Sequence, residues 1–381
     1  LFENKRLKNN PVNFPMYLSL PEKRSLNFED SGGGSLIGST HLINKLATET
    51  KNKQAAWYRN EFYDEGNDIF DIIWPRPAFE GKPPKQSSKH FRTIDWWVMR
   101  SDFKSPEKVL IAGKAGMNDD PHHGHLDIGH FIVHWQNEYF IRDIGKEGGY
   151  DEKYFDDMRW DYPQASSIGH NVIFVNGEKQ ISAKMYKEPW KDGVGGDVEE
   201  FKTNDELDYV RMNPSNAYPK EELKEWKRHV ILDKPEIVVA LDEIEAEKGS
   251  NLEVRFHPGV DFEVKDDFVL LEGEKGKMAV IPVSTEKLVI KEGKHACHFI
   301  NATNKFFWVP YFDFEVKTTG EKTNIATIIL PVSNLDEAQK IAASKKTVKE
   351  DLDNLIVSFK VKGKNMTYKF QNKEGNWFPD W

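Results

Sequence analysis

The spacing of apolar residues changes partway along the chain. In residues 35–62 (SLIGSTHLINKLATETKNKQAAWYRNEF), Leu36, Ile43, Leu46, Ala47, Ala55 and Tyr58 recur at helical intervals. The run predicts one helix or two, after a turn at Gly32, Gly33 and Gly34 with Ser35 as N-cap. Residues 67–74 predict a further short helix stopped by Pro75 and Pro77. Residues 81–88 (GKPPKQSS) have the Pro- and Ser-rich composition of a linker. From Phe91 onward the period becomes two. Residues 93–100 (TIDWWVMR), 108–112 (KVLIA) and 130–135 (HFIVHW) predict strands, and Gln136-Asn137 turns the last of these into 138–144. Residues 172–175, Asn176-Gly177 and 178–181 form the strongest hairpin signal, since Asn-Gly takes positive φ readily. Strands are also predicted at 228–232, 236–241, 253–256, 268–271, 278–283, 306–310, 312–317, 324–330, 355–360 and 366–370, with one helix at 335–344. The fold class expected is mainly β. A short helical segment, residues 1–88, precedes a large antiparallel β-sandwich, residues 89–381.

Composition narrows the function. Of the 381 residues, 38% are hydrophobic and 30% charged, which fits a globular chain. The 11 Trp suit a β core and a sugar-stacking cleft alike, and core packing accounts for most of them. A net charge of −9 with no basic patch argues against nucleic acid, and leaves room for an anionic substrate only where basic residues gather locally. The single cysteine, Cys297, excludes an internal disulfide framework and a Cys-rich metal site. No apolar run approaches the ~18 residues of a membrane span. The chain begins at Leu1 without a visible signal peptide, so a fragment or processed product is expected, with part of a larger protein on the N-terminal side.

The chemistry concentrates in histidines. Five of the 12 fall within residues 122–134: His122, His123, His125, His130 and His134. In an extended strand His123, His125 and Asp127 would share a face, so the cluster points to metal binding or catalysis; His122 and His134 taken singly are expected to be structural. A metallo-β-lactamase pattern, His-x-His-x-Asp-His, is broken by Ile128 and Gly129 before His130. A cupin pattern lacks its nearby Glu, the next being Glu138.

A longer ordered series fits better. NFEDSGG at 27–33, VMRSDF at 98–103, HGHLDIGHF at 123–131, RDIG at 142–145, Gly169-His170-Asn171, Asn176-Gly177 and VVALDEI at 238–244 resemble the heparinase II/III family of polysaccharide lyases over roughly residues 20–260. The resemblance implies that residues 1–88 are the last helices of an α/α toroid. It implies a divalent metal, with zinc the ion expected, held by His125, Asp143 and His170, and mainly structural. It places His123 at a catalytic position and a substrate-facing tyrosine at Tyr150 or Tyr154, a choice that stays open. Asp127 would support the ligands from behind. Arg142, Lys146 and Arg159 are candidates for substrate sulfate or carboxylate.

The activity implied is β-elimination next to a uronic acid in an acidic polysaccharide. Heparin or heparan sulfate is the first substrate expected and alginate the second. The family's other catalytic residues lie in the toroid, so the missing N-terminal domain, possibly a separate chain, is the expected partner. The isolated chain is expected to bind metal with little or no activity. A periplasmic or secreted bacterial location follows from such a substrate. Two other readings compete: a non-catalytic, metal-stapled carbohydrate-binding sandwich, and an unrelated metallohydrolase with Asp127 and His130 on the metal.

Overall fold

The computed structural model describes residues 2–66, 68–118, 123–145, 152–155, 158–182, 194–298, 306–373 and 376–379. Helices Lys5–Asn9, Asn13–Tyr17, Thr40–Thr50, Lys53–Phe62 and Ile69–Ile73 come first, and the first strand opens at Lys89. The helix expected after the triple glycine begins at Thr40, with Ser39 rather than Ser35 at its N-cap.

A nine-stranded antiparallel sheet dominates the rest. Its order is Asp261–Val264, Val269–Glu272, Lys277–Ser284, Lys322–Val332, Ile237–Ala246, Leu223–Asp233, Leu207–Asn213, Gly195–Thr203 and Gly116–Met117. Its sequence carries apolar residues on both faces, because both are covered. Val238, Ala240, Val230 and Leu232 enter one core; Val239, Leu241 and Ile231 enter a second.

The first core is closed by two smaller sheets. One runs Lys89–Phe91, Trp96–Arg100, Leu110–Lys114, Phe131–Trp135, Glu138–Ile141; the other runs Leu288–His298, Phe306–Lys317, Asn251–Phe256, Ile173–Val175. Trp97, Phe131, Val254 and Phe314 bring them together against the large sheet. The second core is closed by helix Leu335–Ala343 and a C-terminal sheet in which Leu355, Val357 and Phe359 alternate inward. Residues beyond the helix thus form a separate layer on the outer face of the large sheet.

The N-terminal segment covers the far side of the five-stranded sheet. Leu18, Leu20, Leu26 and Phe28 pack on Val98, Leu110, Ala112 and Ile132. The buried Arg100 ties the two together, donating to the carbonyls of Ser19 at 2.7 Å and of Tyr17.

The hairpin expected at 172–181 does not form. Asn176 and Gly177 adopt the positive φ of a tight turn, but residues 178–181 make only a single bridge, Val175 to Glu178. Ile173–Val175 pairs instead with Asn251–Phe256. The returning chain is drawn away by Gln180, whose amide brackets Ile128: Oε1 accepts from Ile128 N at 3.0 Å and Nε2 donates to Ile128 O at 2.8 Å.

Candidate metal centre and adjoining polar cluster

The His-x-His segment is a loop, not a strand, leading into Phe131–Trp135. The convergence of His125 and Asp127 therefore owes nothing to a two-residue period. Gly129 makes the turn at φ +88°, where a Cβ would lie 2.6 Å from the Trp226 ring. Asp143 follows the hairpin partner Glu138–Ile141, joined through Gln136 and Asn137, both at positive φ. His170 caps a short 3-10 turn, Ser167–Gly169.

Asn171 locks these pieces in register. Its side-chain amide donates to the carbonyls of Phe131 and Arg142, each at 2.9 Å, and its backbone N–H donates to His130 Nδ1 at 2.9 Å. From the large sheet, Arg228 Nη1 donates to Gly129 O at 2.9 Å and Asn171 O at 2.7 Å, one residue from His130 and one from His170.

His125, Asp127, His130, Asp143 and His170 come together with at most 2% exposure. His125, Asp127 and His170 offer ligand atoms all within 4.8 Å of one another, as do His130, Asp143 and His170. Among the described residues His125 Nδ1 and Asp127 Oδ2 have no hydrogen-bond partner, and Asp143 Oδ2 and His170 Nδ1 meet only long contacts of 3.3 and 3.4 Å inside the cluster. Buried polar atoms are nearly always satisfied, so such a concentration calls for something to satisfy them.

The partners of the ring nitrogens assign the tautomers. His125 Nε2 lies 3.2 Å from Asp30 Oδ1 and His170 Nε2 lies 3.1 Å from the Gln164 carbonyl, both acceptors. Each Nε2 therefore carries a proton; that leaves His125 Nδ1 with a lone pair, while His170 Nδ1 faces Asp143 Oδ1 at 3.4 Å. His130 is the reverse: its Nδ1 accepts from Asn171, so Nε2 bears the proton and faces Asp143 Oδ2 at 3.3 Å. His125, Asp127 and His170 form one donor set that fits a divalent cation; Asp143 joins His170 in a second, in which His130 Nε2 faces Asp143.

The local charge agrees. Lys114 sits 2.9 Å from Asp127 and also pairs with Glu29. Asp30 lies 3.8 Å from Arg159. Among the described residues, the four carboxylates Asp127, Asp143, Glu29 and Asp30 meet the two cations Lys114 and Arg159. Burial would push the Asp143 carboxyl up, but His170 and His130 beside it hold it well below the usual carboxylate range. Burial pulls His130 down to about 4, and lowers His125 against the opposing pull of Asp30. For His170 burial is outweighed by Asp143, and its pKa is raised.

His123 lies outside this buried knot, with its side chain 65% exposed, and its Nδ1 is 2.6 Å from Asp30 Oδ2. Tyr154 has no exposed surface; its hydroxyl is 3.3 Å from both Asp30 Oδ1 and His125 Nε2. It is therefore not placed to face a substrate. Arg159 is likewise enclosed, stacked 4.4 Å from the Tyr154 ring and donating to Gly124 O at 2.8 Å, so it braces the loop instead of meeting an incoming anion. Arg142 is half-buried and lines a cavity of about 490 Å³ with Arg24, Asn27 and Asp143. His134 is buried against Glu22 at 3.1 Å, a structural pairing. Lys146, Tyr150 and His122 lie outside the described residues.

Sequence reasoning missed Asp30, Glu29 and Lys114. Asp30 lay within the quoted NFEDSGG series without a role, and only its ordered place before the His-x-His segment could have flagged it.

Comparison with known proteins identifies the family and the fold. The family model described as heparinase II/III-like, C-terminal, matches residues 83–344. None of the curated proteins matches the chain in sequence. Among solved structures, heparan sulfate lyase HepC from Pedobacter heparinus superposes with a TM-score of 0.70 at 17% identity, over 96% of this chain and 53% of that one. One heparinase III superposes at 0.71 with 14% identity, over 95% of this chain and 54% of that one. Another superposes at 0.69 with 16% identity, over 95% and 52%. At such identities the likeness speaks for the fold, and the chain spans about half the length of these structures. With the family model covering most of the chain, this protein belongs to the heparinase II/III-like family, whose C-terminal domain it carries.

Proposed function

We propose that this chain is the C-terminal part of a polysaccharide lyase that cleaves uronic-acid polymers by β-elimination, with heparin or heparan sulfate the first substrate and alginate the second. The observation that carries this reading is the exposed imidazole of His123, tied through one carboxylate to a buried set of unpartnered metal-type donors.

The proposed ion is zinc, held by His125, Asp143 and His170 with Asp127 beside them. When bound it supplies a cross-link between the loop, the hairpin end and the turn that carry its ligands. The chemistry rests on the chain's own groups. Asp30 accepts a hydrogen bond from His123 Nδ1, which puts the ring's lone pair on Nε2. His123 Nε2 then takes the C5 proton of the uronate. The electron pair of that bond forms the C4–C5 double bond, the C4–O4 bond breaks, and O4 departs with a proton from a second group. Charge building on the C6 carboxylate needs a donor or cation, for which Arg142 is the described candidate. Tyr150 is the tyrosine proposed for proton transfer, since the Tyr154 hydroxyl is enclosed.

Completion of the site is assigned to an N-terminal toroid half, in the same or a separate chain. The apolar helix Ile69–Ile73 supports such a neighbour, with Ile69 62% and Ile72 77% exposed. A polymer substrate too large to enter a cell places the protein in the periplasm or outside it. The test is unsaturated-uronate absorbance from heparan sulfate and from alginate. The chain alone should bind zinc and give none. Addition of the N-terminal half should produce it, and His123→Ala should remove it. Product from the chain alone, or full activity of His123→Ala, contradicts the proposal.

A further inference from the structure

We infer that Asp30 is a positioning residue whose two carboxylate oxygens set the tautomers of two histidines at once: His123 through Oδ2 and His125 through Oδ1. The inference rests on the proposed roles of those histidines and adds the group that couples them.

The geometry is specific. Asp30 Oδ2 lies 2.6 Å from His123 Nδ1 and Oδ1 lies 3.2 Å from His125 Nε2. The Tyr154 hydroxyl donates to the same Oδ1 at 3.3 Å, and Arg159 Nη2 stands 3.8 Å away. The carboxylate is only 12% exposed, so these contacts face weak competition from water. Its neighbour Glu29 holds φ +55° and pairs with Lys114, which fixes the approach of the segment.

Only a carboxylate can serve both rings. Each imidazole needs an acceptor on the nitrogen that faces residue 30, and Asp offers two oxygens with no donor. Held this way, His125 keeps its Nδ1 lone pair for a cation, and the lone pair of His123 sits on Nε2. Asparagine at this position offers one oxygen and one amide NH2. It can satisfy one ring, while its NH2 forces the other to present a lone pair and move its proton to the far nitrogen. For His125 that would protonate the ligand atom. For His123 it would protonate the atom that faces substrate. The same side chain therefore links the occupancy of the buried centre to the state of the exposed imidazole, across the 93-position separation of Asp30 and His123.

The test uses the full chain with zinc as the probe, comparing the native protein with Asp30→Asn and Asp30→Glu. Imidazole 15N shifts at one fixed pH report which nitrogen carries the proton. Native protein should show His123 protonated at Nδ1 and His125 at Nε2. In Asp30→Asn one of these patterns should invert, and zinc affinity should fall by roughly 10- to 100-fold, the usual effect of losing a ligand's hydrogen-bond partner. Asp30→Glu restores two acceptors and should recover at least part of the affinity. The metal-free melting temperature guards against simple misfolding, because a merely structural role would lower it without inverting a tautomer. Unchanged 15N patterns together with zinc affinity within about twofold of native would overturn the inference. Failure of the metal reading looks different: native protein would not bind zinc at all. The two ring patterns in Asp30→Asn then still decide the role of Asp30, inversion of either one supporting it and two unaltered patterns refuting it.

Discussion

Arg228 Nε and Asp242 Oδ1 stand 2.7 Å apart, and neither side chain has any exposed surface. The pair is a fork: Arg228 Nη2 reaches Asp242 Oδ2 at 3.1 Å, and Trp226 Nε1 donates to Oδ1 at 2.8 Å. The remaining guanidinium nitrogen holds the Gly129 and Asn171 carbonyls, so one ion pair on the large sheet anchors two of the segments that carry the candidate ligands. Arg228→Met leaves a buried carboxylate unopposed and should destabilise the protein by about 3–5 kcal/mol. Arg228→Lys should be intermediate, because a point charge cannot span a carboxylate and two carbonyls. Urea unfolding measures this, and equal midpoints for native and Arg228→Met would show that the pair anchors nothing.

Zinc should stabilise the fold in proportion to its binding, since its proposed ligands are assembled only in the native state. Free zinc roughly a thousandfold above the dissociation constant should add about 4 kcal/mol to unfolding. A chelator should remove that increment, and His170→Ala should abolish it. Calorimetric scans with and without chelator provide the check; superimposable traces for the zinc-loaded and stripped protein contradict a metal at this site.

His130 and His170 should behave differently although both rings are buried within the same cluster. His170 Nδ1 has only a long contact, 3.4 Å to Asp143 Oδ1, whereas the Nδ1 of His130 is consumed by Asn171 N–H at 2.9 Å. His130→Gln should therefore retain stoichiometric zinc with affinity reduced by roughly 10- to 100-fold. His125→Ala and His170→Ala should lose the metal. Elemental analysis after gel filtration distinguishes them, and an empty His130→Gln protein would move His130 into the ligand set.

The strands that alternate strongly were legible, and the layer each belongs to was not. Residues 238–241 read as a strand because they are apolar, but Val238 and Val239 serve different cores, which only tertiary pairing decides. Gly195–Thr203 escaped notice because a strand next to the sheet's edge with Asp197, Glu199 and Lys202 outward carries little apolar signal. The histidines were visible through their density. The carboxylate that organises them was not, because Asp30 reaches them through chain crossing rather than through any period. The single expected ligand set also proved finer than spacing can show: which nitrogen of each ring is available depends on Asn171, Gln164 and Asp30.

Acid should weaken the junction between the N-terminal segment and the five-stranded sheet. Burial would raise the Glu22 carboxyl, but His134, 3.1 Å away, lowers it below its ordinary value. A carboxyl depressed on folding contributes stability that is complete above its unfolded pKa and is lost as pH falls through the folded one. Glu22→Gln should thus be less stable than native near neutrality, with the difference closing below about pH 4. Urea midpoints from about pH 7 to about pH 3 measure it. A gap that stays constant across this window assigns the effect to packing, not to the charge.

Phe359 tests whether the two cores are energetically separate. It is 2% exposed in the C-terminal sheet and packs in the core that excludes the histidine cluster. Truncation to Ala leaves a cavity and should cost about 3–5 kcal/mol. The shared nine-stranded sheet lies between that cavity and the metal centre, and mutations without common partners add independently. Phe359→Ala combined with His170→Ala should therefore lower stability by the sum of the two single effects, while Phe359→Ala alone keeps native zinc affinity. Titration calorimetry and urea unfolding on the four proteins close the cycle. A coupling well beyond about 0.5 kcal/mol would mean that the large sheet transmits strain from one face to the other.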